Sequence, residues 1–89
     1  MRTRPYELVI SYPIPVGLGK FRNAAIRGTD QAIVHHGYAF SGQAKGSRTV
    51  HGMRRISIAY PESKHVVLAI RSILKLGVPG MRFRAEMQT

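Results

Sequence analysis

Apolar and polar residues alternate in two segments, one near each end of the chain. In the segment Tyr6–Tyr12, the residues Leu8, Ile10 and Tyr12 share one face, which is the period-two pattern of a half-buried strand. The segment Met81–Met87 alternates apolar residues with Arg and Glu in the same way. Both segments are therefore predicted to be β-strands with one face in the core and the other in water.

Apolar residues recur at helical spacing between Ser63 and Gly77. Ser63 is a candidate N-cap, and Gly77 followed by Pro79 is typical of a helix C-terminus. A shorter helix is predicted to begin near Phe21, and the sequence does not define its end beyond Gly28. The residues of the later helix that are expected to face the sheet are Val66, Ile70, Ile73 and Leu74.

A hairpin is predicted in the middle of the chain. The segment Ala32–Phe40 is rich in β-branched and aromatic residues, which favour strands. Gly42 and Gly46 mark the segment Ser41–Ser47 as a turn. A returning strand is predicted from Arg48 to Tyr60, because apolar and polar residues alternate in its second half.

The predicted order of elements is strand, helix, strand, strand, helix, strand. Right-handed crossovers fold this order into a ferredoxin-like α+β sandwich, a four-stranded antiparallel sheet with two helices on one face. The 89 residues are expected to form one domain spanning 1–89. A homodimer is a further expectation, because so small a core leaves little margin of stability.

Basic residues greatly outnumber acidic ones. The sequence has 14 Lys and Arg against 4 Asp and Glu, a net charge of +10. Most of these cations have no acidic partner in the chain and create a positive potential that attracts polyanions. Arginine, the commoner cation, can donate two hydrogen bonds to one phosphate. The alternative interpretation is a solvated surface that only keeps the protein soluble.

The sequence contains no cysteine. Disulfides and thiolate metal sites are therefore excluded, and a cytoplasmic location is expected because small secreted domains usually rely on such cross-links. The N-terminal segment has no signal-peptide core. No run approaches the ~18 apolar residues of a membrane span, so no membrane association is predicted.

The helix-free face of the predicted sheet should be basic. With the hairpin, it is predicted to form a non-catalytic module that binds RNA or DNA through phosphate contacts with low sequence preference. The alternative is a small interaction or inhibitor protein, like phage-type anti-CRISPR proteins, that binds an acidic protein surface or a nucleic-acid-binding complex. The residues expected on this face are Glu7, Val9, Ser11, Arg55, Ser57, Arg82, Arg84 and Glu86. The predicted nucleic-acid-binding residues are Lys45, Arg48, Arg54, Arg55, Arg82, Arg84 and Tyr38.

Tyr38 is included for its aromatic ring. Tyr38 and Phe40 would share one face of the predicted strand and resemble the aromatic pair on which RNA-recognition sheets stack two bases. The alternative is that both rings pack in the core.

The loop between the first strand and the first helix is a candidate anion site. Backbone N–H groups and the positive end of a helix can hold an anion there, and two cations add charge. The residues predicted to bind the anion are Gly17, Gly19, Lys20 and Arg22. The alternative is a tight connection in which the glycines only permit the turn.

Two motifs resemble acylphosphatases. The segment Val16–Arg22 resembles the phosphate-cradling loop of that family, which ends in Phe-Arg, and Leu76–Gly80 resembles its Gly-Pro-Pro-containing turn. The resemblance implies a ferredoxin-like fold, with Arg22 as the phosphate-binding arginine. It also requires an asparagine on the second strand to orient water, where this sequence offers Ser41. An acylphosphatase-like enzyme with a phosphate site is therefore a second alternative. The resemblance itself implies the fold of that family and not its activity.

The histidines do not predict a metal site. His35 and His36 would point to opposite faces of the predicted strand, so one ion could not bind both without distortion. His36 could meet His51 across the hairpin. No paired carboxylates, catalytic triad or nucleotide fingerprint is present, so no metal, cofactor or catalytic residue is predicted.

Overall fold

The computed structural model describes residues 4–87, which form one four-stranded sheet, two α-helices and a short 3-10 helix. The strand order is β2-β3-β1-β4, and each neighbouring pair is antiparallel. This confirms the predicted ferredoxin-like α+β architecture. The elements are β1 (Tyr6–Pro13), the 3-10 helix (Gly19–Phe21), α1 (Arg22–Tyr38), β2 (Gln43–Val50), β3 (Met53–Tyr60), α2 (Ser63–Leu74) and β4 (Arg82–Met87).

The middle of the chain differs from the prediction. The segment Ala32–Phe40 is not a strand, because α1 continues through it to Tyr38. The hairpin turn lies at His51 and Gly52, whose φ angles are 50° and 76°, as a two-residue turn with left-handed central residues requires. Accordingly, Ser41–Ser47 is not the hairpin turn and lies largely in strand β2.

The core lies between the sheet and the two helices. Alternate residues of β1 and β3 supply the sheet side, and α2 supplies Val66, Ala69 and Ile73. Ile70 is partly buried against this core, as predicted. Leu74 was predicted to face the sheet and instead has 54% of its surface exposed. It follows the fully buried Ile73 by one residue, and this step turns its side chain about 100° around the helix, away from the core.

Gly37 allows α1 to pass very close to β3. A Cβ atom at Gly37 would lie 2.5 Å from Cδ1 of Ile58 and 3.0 Å from the hydroxyl of Tyr60. Gly42 also lies against Ile58 and Tyr60, and a Cβ atom there would lie 2.7 Å from the carbonyl oxygen of Gly37. Both positions therefore exclude larger residues unless the neighbouring side chains move.

The ends of α2 differ in how well they match the prediction. Ser63 is the first residue of the helix and not its cap, because Glu62 is the N-cap and makes no side-chain capping bond. Gly77 has φ 68°, and its N–H bonds to the carbonyl of Leu74, which is the expected role of a glycine at a helix C-terminus. In the described part of the chain, neither helix is long and apolar enough to cross a bilayer.

Candidate anion-binding surface

Strand alternation places rows of side chains across the helix-free face of the sheet. In the first row, Arg55 of β3 and Arg82 of β4 both pair with Ser11 of β1. Arg48 of β2 pairs with Arg55. Because directly paired residues have Cβ atoms only about 5 Å apart, this row brings three guanidinium groups to one face.

The charge of this face changes along the strands. In the next row, Arg84 pairs with Val9, and in the row after it Glu86 pairs with Glu7. The Nε atom of Arg84 lies 2.9 Å from Oε1 of Glu86, and both side chains are exposed. The face is therefore basic along the first two rows and acidic along the third.

Two shallow depressions lie on this face. One of about 410 Å³ is lined by Lys45 and Arg48 of one edge strand and by Arg84 of the other, and the carboxylates of Glu7 and Glu86 also line it. A second of about 380 Å³ is lined by Arg55, Arg82 and Arg84. We call the five basic side chains the open basic face, and they are five of the six cations that the sequence predicted to bind nucleic acid.

Among residues 4–87, only one ion pair involves a cation of the open basic face. Arg84 has Glu86 as an ion-pair partner, and the other four cations have none among residues 4–87. An exposed pair such as Arg84–Glu86 contributes little to stability because water screens it. The excess positive charge is therefore available to an anionic partner.

Arg54, the sixth predicted nucleic-acid-binding cation, lies on the opposite side of the sheet from the other five. It pairs in register with Tyr12, which is buried under the helices. Its Nε donates to Oδ2 of Asp30 at 2.8 Å, and its two Nη atoms donate to Thr49 and Ser47. Successive residues of a strand point to opposite faces, so Arg54 and Arg55 cannot both belong to the open basic face.

Asp30 joins this arginine to a buried tyrosine. Its Oδ1 accepts a 2.6 Å hydrogen bond from the hydroxyl of Tyr12, whose oxygen also lies 3.3 Å from the carbonyl of Ile26. Burial, followed by the hydrogen bond to Asp30, raises the pKa of Tyr12 well above its ordinary value. The tyrosine therefore keeps its proton and serves as a donor that ties α1 to β1.

The aromatic pair is not arranged for stacking. Tyr38 is the last residue of α1 and is half exposed, and Phe40 packs against the core. The two rings do not share a strand face, because this segment is not a strand. The side chains that the described strands place on the helix-free face include no aromatic ring.

The predicted anion loop has the shape of a helical turn. Gly17 and Gly19 have φ angles of 80° and 55°, a left-handed conformation that suits glycine. The N–H groups of Phe21 and Arg22 bond to the carbonyls of Leu18 and Gly19, so the loop itself uses these two donors. Lys20 lies over the Phe21 ring, 5.4 Å from its centroid.

The histidines are separated by the fold. His36 lies on α1 and its Nδ1 is 2.7 Å from the hydroxyl of Ser72 on α2. His51 lies in the β2–β3 turn, so the two do not meet across a hairpin as predicted. His35 contacts His36 edge to face at 6.0 Å between ring centroids.

Strand β2 lacks the asparagine that the acylphosphatase resemblance requires on the second strand. Strand β2 contains Gln43, Ser47 and Thr49 but no asparagine, and Ser41 precedes it with φ 63°. The structure therefore offers no residue of the required type for the water-orienting role on this strand.

Comparison with known proteins gives one structural match. No protein-family model matches the chain, and no curated protein is similar to it in sequence. The crystal structure of PA3566 from Pseudomonas aeruginosa superimposes with a TM-score of 0.62 at 10% identity, covering 100% of this chain and 98% of that one. At this identity the similarity shows the fold alone.

Proposed function

We propose that the protein is a non-catalytic module that binds nucleic acid on the open basic face with low sequence preference. The observation that supports the proposal is the gathering of Lys45, Arg48, Arg55, Arg82 and Arg84 on one helix-free surface. A phosphate backbone presents a continuous row of anions to such a surface, and neutralising it releases condensed counterions. The absence of cysteine agrees with a cytoplasmic setting for this binding.

The composition of the face favours phosphate contacts over base contacts. Arginine donates in a planar fork that matches phosphate oxygens. No aromatic ring stands among the described side chains of the face, so base stacking has no platform there. Within residues 4–87, no helix lies on this face that could enter a major groove. Affinity should therefore depend on charge and vary little with sequence.

The test is a titration of unrelated DNA and RNA sequences, duplex and single-stranded, at several salt concentrations. If about five phosphates of a duplex are neutralised, log affinity should fall against log salt with a slope of about −4 to −5. The double variant Arg55→Gln/Arg84→Gln should make that slope shallower by up to ~2, with similar losses on every sequence.

The matched control is Arg71→Gln/Lys75→Gln. Both residues are exposed near the C-terminal end of α2, outside the open basic face, and their loss changes the net charge by the same amount. This control should keep the parental slope. If the two double variants lose the same affinity for nucleic acid, the binding depends on the net charge of the protein and not on the open basic face. No binding of DNA or RNA at low salt would overturn the proposal and leave an acidic protein surface as the partner to test.

A further inference from the structure

A second cationic site lies on the helix side of the sheet, away from the open basic face. A hollow of about 340 Å³ separates the first half of α1 from β2 and β3. That volume is near the lower limit for small-molecule pockets. Its cationic and polar lining includes Arg22, Asn23, Arg27, Gln31, Thr49 and Arg54. We call this hollow the α1 groove.

The α1 groove has an excess of positive charge. Asp30 also lines it, but one carboxylate oxygen accepts from Tyr12 and the other from Arg54. The carboxylate is therefore already neutralised by Arg54. Arg22 and Arg27 are exposed and have no ion pair among residues 4–87.

Three hydrogen bonds hold the Arg54 guanidinium in place at one side of the α1 groove. Its guanidinium donates to Asp30, Thr49 and Ser47, which uses three of its five N–H donors. A guanidinium held in this way loses little freedom when its remaining donors bind a ligand, so less binding energy is spent on ordering it.

Helical spacing adds polar groups beside the cations. Asn23, Arg27 and Gln31 follow each other at intervals of four residues on α1, so they lie on one stripe of the helix. The two amides can donate or accept hydrogen bonds next to the Arg27 guanidinium. The stripe thus combines charge with neutral hydrogen-bonding groups, a combination that suits the oxygens of a phosphate ester.

We propose that the α1 groove binds a phosphate group, with the exposed Arg22 and Arg27 supplying the net positive charge and Arg54, whose charge Asp30 balances, acting as a fixed hydrogen-bond donor. The group could belong to a small phosphorylated molecule or to a nucleic-acid backbone, since both present the same oxygens. The proposal does not depend on nucleic acid binding to the open basic face, because the two sites share no side chain.

The test follows backbone amide resonances of Gln31 and Thr49 by NMR. Pyrophosphate and a short oligonucleotide with hydroxyl ends are titrated separately at constant ionic strength. At least one probe should shift these two resonances in a saturable manner, and the tighter probe identifies the source of the phosphate. The double variant Arg22→Gln/Arg27→Gln should weaken that binding at least tenfold while keeping the parental melting temperature without ligand.

Two variants serve as controls. Arg55→Gln/Arg84→Gln removes charge from the open basic face, and Arg71→Gln/Lys75→Gln removes charge from α2. Both should bind the probe in the α1 groove within about twofold of the parent, because the nearest cations of the groove are unchanged. Shifts that persist in Arg22→Gln/Arg27→Gln would overturn the proposal. So would an absence of shifts at Gln31 and Thr49 with both probes.

Discussion

Arg54 of β3 and Asp30 of α1 form an ion pair with 2.8 Å between Nε and Oδ2, and their side chains are only 19% and 15% exposed. The pair fastens the middle of α1 to the sheet. It also explains why an acidic residue lies on the inner stripe of α1 at Ile26, Asp30, Ile33 and Gly37, whose spacing of four, three and four residues follows one helix face.

We expect the loss of the carboxylate at Asp30 to destabilise the protein much more than the loss of the carboxylate at Glu86. Asp30→Asn should lower the free energy of unfolding by about 1 to 3 kcal/mol, because it leaves a poorly solvated guanidinium without its anion. Glu86→Gln, in the exposed pair with Arg84, should cost less than ~1 kcal/mol. Urea denaturation of the two variants measures both changes. Equal costs would mean that the Arg54–Asp30 pair does not stabilise the fold.

Two glycines of α1 predict changes of opposite sign. Gly28 has open space around the position of a Cβ atom, so Gly28→Ala should stabilise the helix by about 0.5 to 1 kcal/mol. Gly37→Ala should gain the same helix propensity but force Ile58 aside. That overpacking costs about 1 to 3 kcal/mol, so the net effect should be destabilising. Thermal unfolding of the pair decides this, and stabilisation by both substitutions would contradict the close approach of α1 to β3.

The sequence predicted the parts of the fold that have a strong one-sided pattern. Strand β1 and helix α2 bury one face each, so their apolar residues recur at a clear period. Strand β4 alternates in sequence in the same way, but only Phe83 packs against the core, and Met87, predicted to lie on the buried face, is 61% exposed. Strand β2 has almost no such pattern, because most of its side chains are exposed at the sheet edge and Lys45 lies at a bulge between Ala44 and Gly46. The position of β2 in the sheet is determined by its hydrogen bonds to β3. These long-range contacts leave no pattern in the local sequence.

The sequence of the second half of α1 predicts a strand for a related reason, although the structure shows a helix there. Only Ile33 and Gly37 are buried in this helix, and β-branched residues and glycine both favour other structures locally. Long-range contacts, the Arg54–Asp30 pair and the approach of Gly37 to Ile58, determine the helix. Among the site residues, the separation of Arg54 from Arg55 is predictable from the sequence, because neighbouring residues of one strand point to opposite faces.

Helix α2 offers a direct test of which residues it buries. Ile73 is fully buried and Leu74 is 54% exposed. Ile73→Ala should therefore cost about 2 to 5 kcal/mol, enough to unfold a large share of so small a domain. Leu74→Ala should change stability by less than ~1 kcal/mol. Urea denaturation followed by circular dichroism compares them, and a larger effect at Leu74 would mean that α2 is rotated about its axis.

Buried tyrosines predict a loss of stability at high pH. Burial raises the pKa of Tyr60 from 10.0 to about 12. Below pH 10 the tyrosine is protonated in both states and contributes fully. Above pH 10 the unfolded chain loses the proton first, so stability falls by up to ~1.4 kcal/mol per pH unit until the folded protein titrates near pH 12.

The contribution of Tyr60 is isolated by comparing slopes. The free energy of unfolding of the parent and of Tyr60→Phe is measured from pH 8 to pH 11. The two proteins differ only at this position, so the difference in slope above pH 10 belongs to Tyr60. Tyr12→Phe should behave similarly, since burial raises the pKa of Tyr12 as well. Parallel curves for Tyr60→Phe and the parent would show that this hydroxyl does not titrate differently in the two states.

The acidic row of the sheet predicts a variant that binds nucleic acid more tightly than the parent. Glu86 pairs with Arg84 and lies opposite Glu7, so it both occupies a cation of the open basic face and repels a polyanion. Glu86→Gln should raise the affinity at low salt, because it removes this repulsion and lets Arg84 contact a phosphate without first breaking an ion pair. Titrations at three or more salt concentrations would measure this. Glu62→Gln, which removes an exposed carboxylate that pairs with Lys64 just before α2, is the matched control and should bind as the parent does. If Glu86→Gln binds no more tightly than Glu62→Gln, the polyanion does not contact the open basic face near Arg84.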